Sequence, residues 1–309
     1  MKNLTNLLEN FKNYEVKLNK STKTIEGYLK EARYFMNDYN INSVEDLKIM
    51  ESKEFWSQWL EDMTSKYQAG TVNKKKTALS VFSKFLIFEE IIEVNKVQQI
   101  ESLKNDNKKI EVYTDEEIEK IFNYMENKIK ANKFQRKIDK EVYFMNMVAI
   151  KLLYKNALRV CEVVSIEMKD FNLDEGNKFY IHGKGGHGKV TRFNSFSKDM
   201  IESINECLEI RNKIKIKEGN EQYFLISPIS KSKLTEDSIR KFLRNILKEL
   251  EIESSSVCHN LRHYRATELI SKGQNVKNVS LFLGHANVKT TEHYYIHQNE
   301  EVMEELSEI

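Results

Sequence analysis

Proline occurs once in 309 residues, at Pro228, and glycine only ten times. Tight turns therefore have little to be built from, and a mainly helical chain is expected. Three cysteines, Cys161, Cys207 and Cys258, are odd in number and far apart, which gives no disulfide framework; reduced, packed thiols are the expectation. No apolar run approaches the roughly 18 residues that span a bilayer. The first residues, Met1 to Asn6, lack a signal-peptide core, so a cytoplasmic protein without a membrane partner is expected. A dominant charge is missing too: 49 basic and 47 acidic side chains leave a formal net charge of +2. Bulk electrostatics thus do not announce a nucleic-acid binder, and the distribution of charge carries more information than its sum.

What is present is a succession of apolar stripes at helical spacing in a chain of 40% hydrophobic content, enough for two domains with ordinary cores. Leu4, Leu7, Leu8, Phe11, Tyr14 and Leu18 mark a first helix, and Ile25, Leu29, Ala32, Phe35 and Met36 a second, opened by the capping stretch Lys20 to Thr24. A short turn at Ser43 to Asp46 precedes a third helix around Trp56, Trp59 and Met63. A fourth starts near Thr71 and packs Leu79, Phe82, Phe85 and Leu86 inward. Its basic corner, Lys74, Lys75 and Lys76, is the candidate DNA-binding patch, although a helix start bathed in solvent reads the same way. Lys104 to Lys109 has no apolar residue and has the composition of a linker. The expected division is a helical domain over 1–103, a linker over 104–112, and a second domain over 113–309. Thr114 to Glu117 has the capping-box pattern at the start of that domain, and a further helix is expected from about Lys140 to Tyr154.

The second domain carries the chemistry. Arg159 and Glu162 stand three residues apart at a helix start, where Leu158 and Val160 would half bury the arginine; a buried arginine needs an anion, which Glu162 and a substrate phosphate could provide together. Asn177 to Phe196 is the one convincing β region, with strands at Lys178 to His182 and Lys189 to Phe193 around Gly183-Lys184-Gly185-Gly186-His187-Gly188. That loop is not a Walker phosphate cradle, since no helix follows a Lys-Ser/Thr pair. Lys184 at the tip reads as a cation reaching toward a backbone, with Lys189 as the alternative. His259 and Arg262 lie one helical turn apart and share a face. Gly284 interrupts an apolar run and sets His285 at the mouth of the next element, and Thr290 and Thr291 can cap a last helix bearing Tyr294 and Tyr295. His293 and His297 invite a zinc reading with His285, but no glutamate follows His293, so the metalloprotease pattern fails. A Cys258/His259 nucleophilic pair is also poor, because sequence neighbours do not face each other.

Arg159, Lys184 in a β-hairpin, His259-x-x-Arg262, Leu283-Gly284-His285 and a tyrosine nine residues further on together resemble the ordered signature of the tyrosine recombinases, the phage integrase family. The resemblance covers nearly the whole chain and departs from the family at Ala157, where glycine is frequent, and in a longer hairpin turn. It implies a mainly α fold: an N-terminal helical, SAM-like core-binding bundle, then an α-helical catalytic domain with a small antiparallel sheet, the DNA breaking-rejoining fold. It implies cleavage and rejoining of double-stranded DNA through a phosphotyrosyl intermediate, with a 3′-phosphate link and a 5′-hydroxyl leaving group, in recombination or integration of a mobile element.

In chemical terms, Arg159 and Arg262 neutralise the phosphodiester, His285 adds a hydrogen bond, Tyr294 attacks, His259 moves the phenolic proton and Lys184 protonates the leaving oxygen. Two arginines substitute for a divalent cation, so no metal, cofactor or ATP is expected. Spacing from His285 favours Tyr294 over Tyr295, which would face about 100° away on a helix. Val302, Leu306 and Ile309 align on one face of an acidic tail that could cap its own domain or dock on a second copy, giving dimers to tetramers on DNA. The same residues would serve a conjugative relaxase or a topoisomerase; a DNA-binding accessory protein would not need the full set.

Overall fold

The computed structural model describes residues 3–104, 112–172, 177–182 and 190–285, without the side chains of Asn172, Val190 and Thr191. The chain divides into two compact units, Met1–Lys109 and Ile110–Ile309. The boundary between them falls within the linker expected at 104–112, most of which lies outside the described residues.

The first unit is a helical bundle: α1 (Leu4–Lys17), α2 (Thr22–Asp38), α3 (Lys53–Lys66) and α4 (Ala69–Phe88), with short 3₁₀ turns at Glu45–Glu51 and Lys96–Gln99. Asn3, Ser21 and Ser52 cap the first three helices, their side-chain oxygens accepting from Thr5, Thr24 and Phe55 amides. The apolar stripes converge on one core, where Phe11 meets Phe82 and Phe85 at ring-centroid distances of 5.1 and 5.2 Å. Trp56 is buried and its indole N–H donates to the Met50 carbonyl at 2.7 Å, so the large ring satisfies its single polar atom.

The second unit begins with α5 (Asp115–Ala131), whose capping box is complete: Thr114 accepts from the Glu117 amide, and Glu117 accepts from the Thr114 amide. It continues through α6 (Lys137–Lys155) and α7 (Val160–Val164). Phe144 through Leu153 of α6 are all buried, so this helix is covered on every side. Even Lys151 is enclosed, its ammonium 3.3 Å from Glu126. A three-stranded antiparallel sheet follows: β1 (Phe171–Asn172), β2 (Lys178–His182) and β3 (Val190–Ser195), in the order β1-β2-β3. The hairpin was expected; β1 was not, because two residues carry no period. Its Phe171 joins a cluster of rings with Phe179, Phe196 and Phe224.

The last described helices are α8 (Lys198–Asn212), α9 (Glu236–Glu249), α10 (Val257–Ser271) and α11 (Val276–Leu283). α6 is packed by α8, α9 and α10, and Tyr113 ties the start of α10 to the head of α5 by donating to the Val257 carbonyl at 3.0 Å. The architecture is mainly helical with a small sheet, as expected.

Both tryptophans, Trp56 and Trp59, lie in the first unit. Thr114→Ala removes a cap worth about 1 kcal/mol. It should lower the urea midpoint of the second unit, followed by far-ultraviolet circular dichroism, and leave the tryptophan-fluorescence transition in place.

Candidate active site

α6 ends at Asn156 and the chain turns sharply at Ala157, a buried alanine in the left-handed region at φ 49°. The turn sends Arg159 to the N-cap of α7 and buries Glu162 one turn later. The Glu162 carboxylate accepts the Arg159 amide at 2.8 Å and its guanidinium at 2.9 Å, which fixes the arginine from both ends. From β3, Arg192 donates to the same carboxylate through two nitrogens, at 3.1 and 2.9 Å. Arg262, on α10, is almost fully buried with one nitrogen 3.9 Å from Glu162. Its guanidinium is aimed by two backbone acceptors, the Ala157 carbonyl and the Leu283 carbonyl at 2.7 Å. The turn at Ala157 thus presents one arginine and anchors another.

β3 is held to this turn by a pair of amides. Asn194 donates to the Asn156 carbonyl at 3.0 Å, and Asn156 donates to the Ser195 carbonyl at 3.1 Å. On the other side, α11 closes at Gly284 with φ 67°, and the His285 N–H returns to the Ser280 carbonyl at 3.0 Å, the long bond of a Schellman motif. Glycine is demanded here twice over: by the backbone angle, and because a Cβ would lie 2.3 Å from the Arg192 Nη1. Arg159 reaches the Gly284 carbonyl at 3.5 Å.

Three guanidiniums around one buried carboxylate leave an excess of two positive charges among the described residues. Burial would raise the Glu162 carboxyl, but the hydrogen bonds and charge of Arg192, with Arg159, hold it below the ordinary glutamate range. The histidines feel the same cations. Burial, with Arg262 and Arg159, depresses His259; burial, with Arg262, Arg159, Arg192 and His259, pushes His285 down to about 4. Both imidazoles are neutral at physiological pH, and the His259 ring also meets that of His263 edge to face at 4.2 Å between centroids. Cys258, next in sequence, is buried and its thiol is pushed up to about 11, so it is no nucleophile.

Of the seven proposed catalytic residues, Arg159, Glu162, His259, Arg262 and His285 converge in this place. Lys184 and Tyr294 lie outside the described residues, as do Lys189, Tyr295, His293, His297 and the tail. Arg192 was missed by sequence reasoning; it lies 30 residues from Glu162 on a strand whose alternation says nothing of a salt bridge. In the first unit, Lys75 pairs with Glu31 at 2.8 Å and Lys76 donates to the Ile100 carbonyl and the Ser102 hydroxyl, both at 2.9 Å, whereas Lys74 is exposed.

The sequence profile of the phage integrase family matches residues 111–301, more than half of the chain. The chain belongs to that family. The match runs across every candidate catalytic position, including Lys184 and Tyr294. Among curated relatives, the tyrosine recombinase XerC of Bacillus pumilus is 26% identical over 302 residues, covering 95% of this chain and 92% of the relative. The tyrosine recombinase XerD of Oceanobacillus iheyensis is 26% identical over 224 residues, covering 72% of this chain and 70% of the relative. Solved structures that share the fold include two DNA complexes. One is the XerH site-specific recombinase in a post-cleavage complex with palindromic difH substrate: TM-score 0.71, 22% identity, 94% of this chain and 81% of that one. The other is a lambda integrase dimer bound to a COC′ core site, with TM-score 0.67, 17% identity and 95% of each chain covered.

Gly284→Ala should cost about 1–2 kcal/mol in thermal unfolding, from the backbone angle and the displaced guanidinium. In an Arg192→Ala background the second cause is gone, so the two effects should be non-additive. His285 yields a pH signature. Its folded pKa of about 4 lies below the ordinary histidine value, so an unfolded chain takes up a proton that the folded site refuses. Stability should be full above about pH 6.5 and fall toward pH 4. His285→Gln should flatten that slope, as read by urea titrations across the range.

Proposed function

We propose that the chain breaks and rejoins double-stranded DNA by transesterification to Tyr294, as a tyrosine recombinase acting in site-specific recombination or integration of a mobile element. The observation that carries the reading is the excess positive charge around Glu162, where Arg159 and Arg262 are aimed by a carboxylate and two carbonyls and accompanied by neutral imidazoles. A phosphodiester supplies the anion that such a site calls for, and donors already oriented before it arrives need no reorganisation as charge builds on its oxygens.

Tyr294 attacks the phosphorus and its ester keeps the energy of the broken bond, so rejoining needs no ATP. His259 receives the phenolic proton, a role open to a neutral imidazole at physiological pH, and His285 donates a hydrogen bond to a non-bridging oxygen. Lys184 delivers a proton to the departing 5′-oxygen. Glu162 and Arg192 act by holding Arg159 in place. The first unit serves as a core-binding domain, with Lys74, the exposed member of the Lys74, Lys75 and Lys76 run, toward the DNA backbone, and the second unit is the catalytic domain. The related structures are DNA complexes of XerH and of a lambda integrase dimer, which supports DNA as substrate and assembly on it. In that assembly the acidic tail docks on a neighbouring copy through Val302, Leu306 and Ile309. Among the described residues no helix is long and apolar enough to cross a membrane; action on DNA in the cytoplasm is part of this reading.

A suicide duplex carrying the element's own flanking sequence should trap a covalent adduct in the presence of EDTA, visible on a denaturing gel. Tyr294→Phe should abolish the adduct and Tyr295→Phe should leave it. If duplex is bound but no variant forms an adduct, the protein is a DNA-binding accessory factor. Deleting residues 299–309 should leave adduct formation on a half-site in place and abolish higher-order complexes on paired sites, read by native gel. Unchanged assembly would rule out tail docking.

A further inference from the structure

Beside the candidate active site lies a cavity of about 360 Å³, most of whose lining the chemistry described above does not use. Arg159 and His259 form the wall it shares with that site; Arg240, Arg244, Ser255 and Ser256 form the rest of its polar lining, over an apolar floor that includes Cys258. Its volume is within the roughly 300–1,000 Å³ typical of ligand sites, yet among the described residues no carboxylate lines it. The side chains that reach it offer guanidinium, imidazole and hydroxyl groups, a set suited to a tetrahedral oxyanion.

Two helices produce this lining. α9 buries Ile239, Leu243, Ile246 and Leu247. Arg240 and Arg244 stand one helical turn apart and both line the cavity, so burial of the apolar face leaves these two cations on the side that borders it. Arg240 is already paired with Glu236, and with Asp237 at 3.1 Å. Arg244 is exposed and has no ion pair among the described residues. The field of both arginines reaches the floor: burial raises the Cys258 thiol, Arg240 and Arg244 oppose that rise, and Glu236, the partner of Arg240, adds to it more weakly.

We infer that this cavity is a second phosphate subsite, which holds a backbone phosphate neighbouring the scissile one, with Arg244 as its principal donor. The inference rests on the DNA reading for the identity of its ligand, because a polynucleotide is the oxyanion that presents a second phosphate next to the first. Arg159 lines this cavity and is held by Glu162 in the candidate active site, so a strand seated in the subsite is held in register with the arginine that serves the reacting phosphate. A contact of this kind reads no base. It positions the backbone and adds to affinity on every sequence alike.

The test uses the full chain. Duplex affinity is measured against salt concentration for wild type, Arg244→Ala and Arg244→Lys, on the element's own end and on unrelated DNA. Arg244→Ala should weaken binding about tenfold on both duplexes and lower the slope of log affinity against log salt by about one; Arg244→Lys should restore the slope. Methylphosphonate substitution, scanned along the cleaved strand, should find one phosphate whose neutralisation mimics Arg244→Ala and adds nothing to it. An unchanged slope in Arg244→Ala, or full additivity at every phosphate, overturns the subsite. So does stabilisation of the wild type by inorganic phosphate that Arg244→Ala loses while its duplex slope is unchanged, which would assign the cavity to a free anion. A wild type that gives no covalent adduct, but shows the lowered slope and the single non-additive phosphate, keeps the subsite and removes the strand-transfer reading alone.

Discussion

The second unit is organised around one buried carboxylate. Glu162 is 2% exposed in its side chain and lies against Arg159, Arg192 and Arg262, which come from an N-cap, a strand and a long helix. A single buried charge of this kind is costly unless it is paired, and here it is paired more than once. Each partner in turn fixes something else. Arg192 abuts Gly284 and so sets the end of α11; Arg262 joins the turn at Ala157 to the Leu283 carbonyl. The loops that would otherwise move independently are connected through this one group, and the price of breaking it falls on all of them.

Much of this was legible from the sequence where the signal was local. The Thr114 box, the His259/Arg262 face and the Gly284 stop each depend on residues within one or two turns of each other, and the structure has them where the spacing put them. The pairing of Arg159 with Glu162 is likewise a matter of three residues. What escaped was non-local. Arg192 belongs to the cluster only because Asn156 and Asn194 clasp β3 to the end of α6, a contact across 38 residues with no periodic trace. The lysines at the start of α4 show the converse: a run of three like charges reads as one patch, whereas the helix sends Lys75 to Glu31 and Lys76 to the chain near Ile100, leaving Lys74 apart. α6 was readable as a helix, but not as one enclosed on all sides, since that depends on how many neighbours arrive.

The near balance of charge over the whole chain conceals a steep local imbalance, and that imbalance has a consequence for proton transfer. Burial is the larger reason that His259 and His285 stay neutral, and the guanidiniums that make the site attractive to a phosphate add to it. An imidazole held neutral by cations can accept a proton only weakly while the site is empty. A phosphodiester seated among the guanidiniums supplies the opposite field, which offsets the part of the depression that the arginines cause. The electrostatic part of the site's basicity is thus tied to whether an anion occupies it. Electrostatic attraction for the phosphate and readiness for acid–base chemistry are then two results of one arrangement, with Glu162 setting the balance: without it, three unopposed guanidiniums would repel one another, and with a second carboxylate the site would lose its pull on the anion.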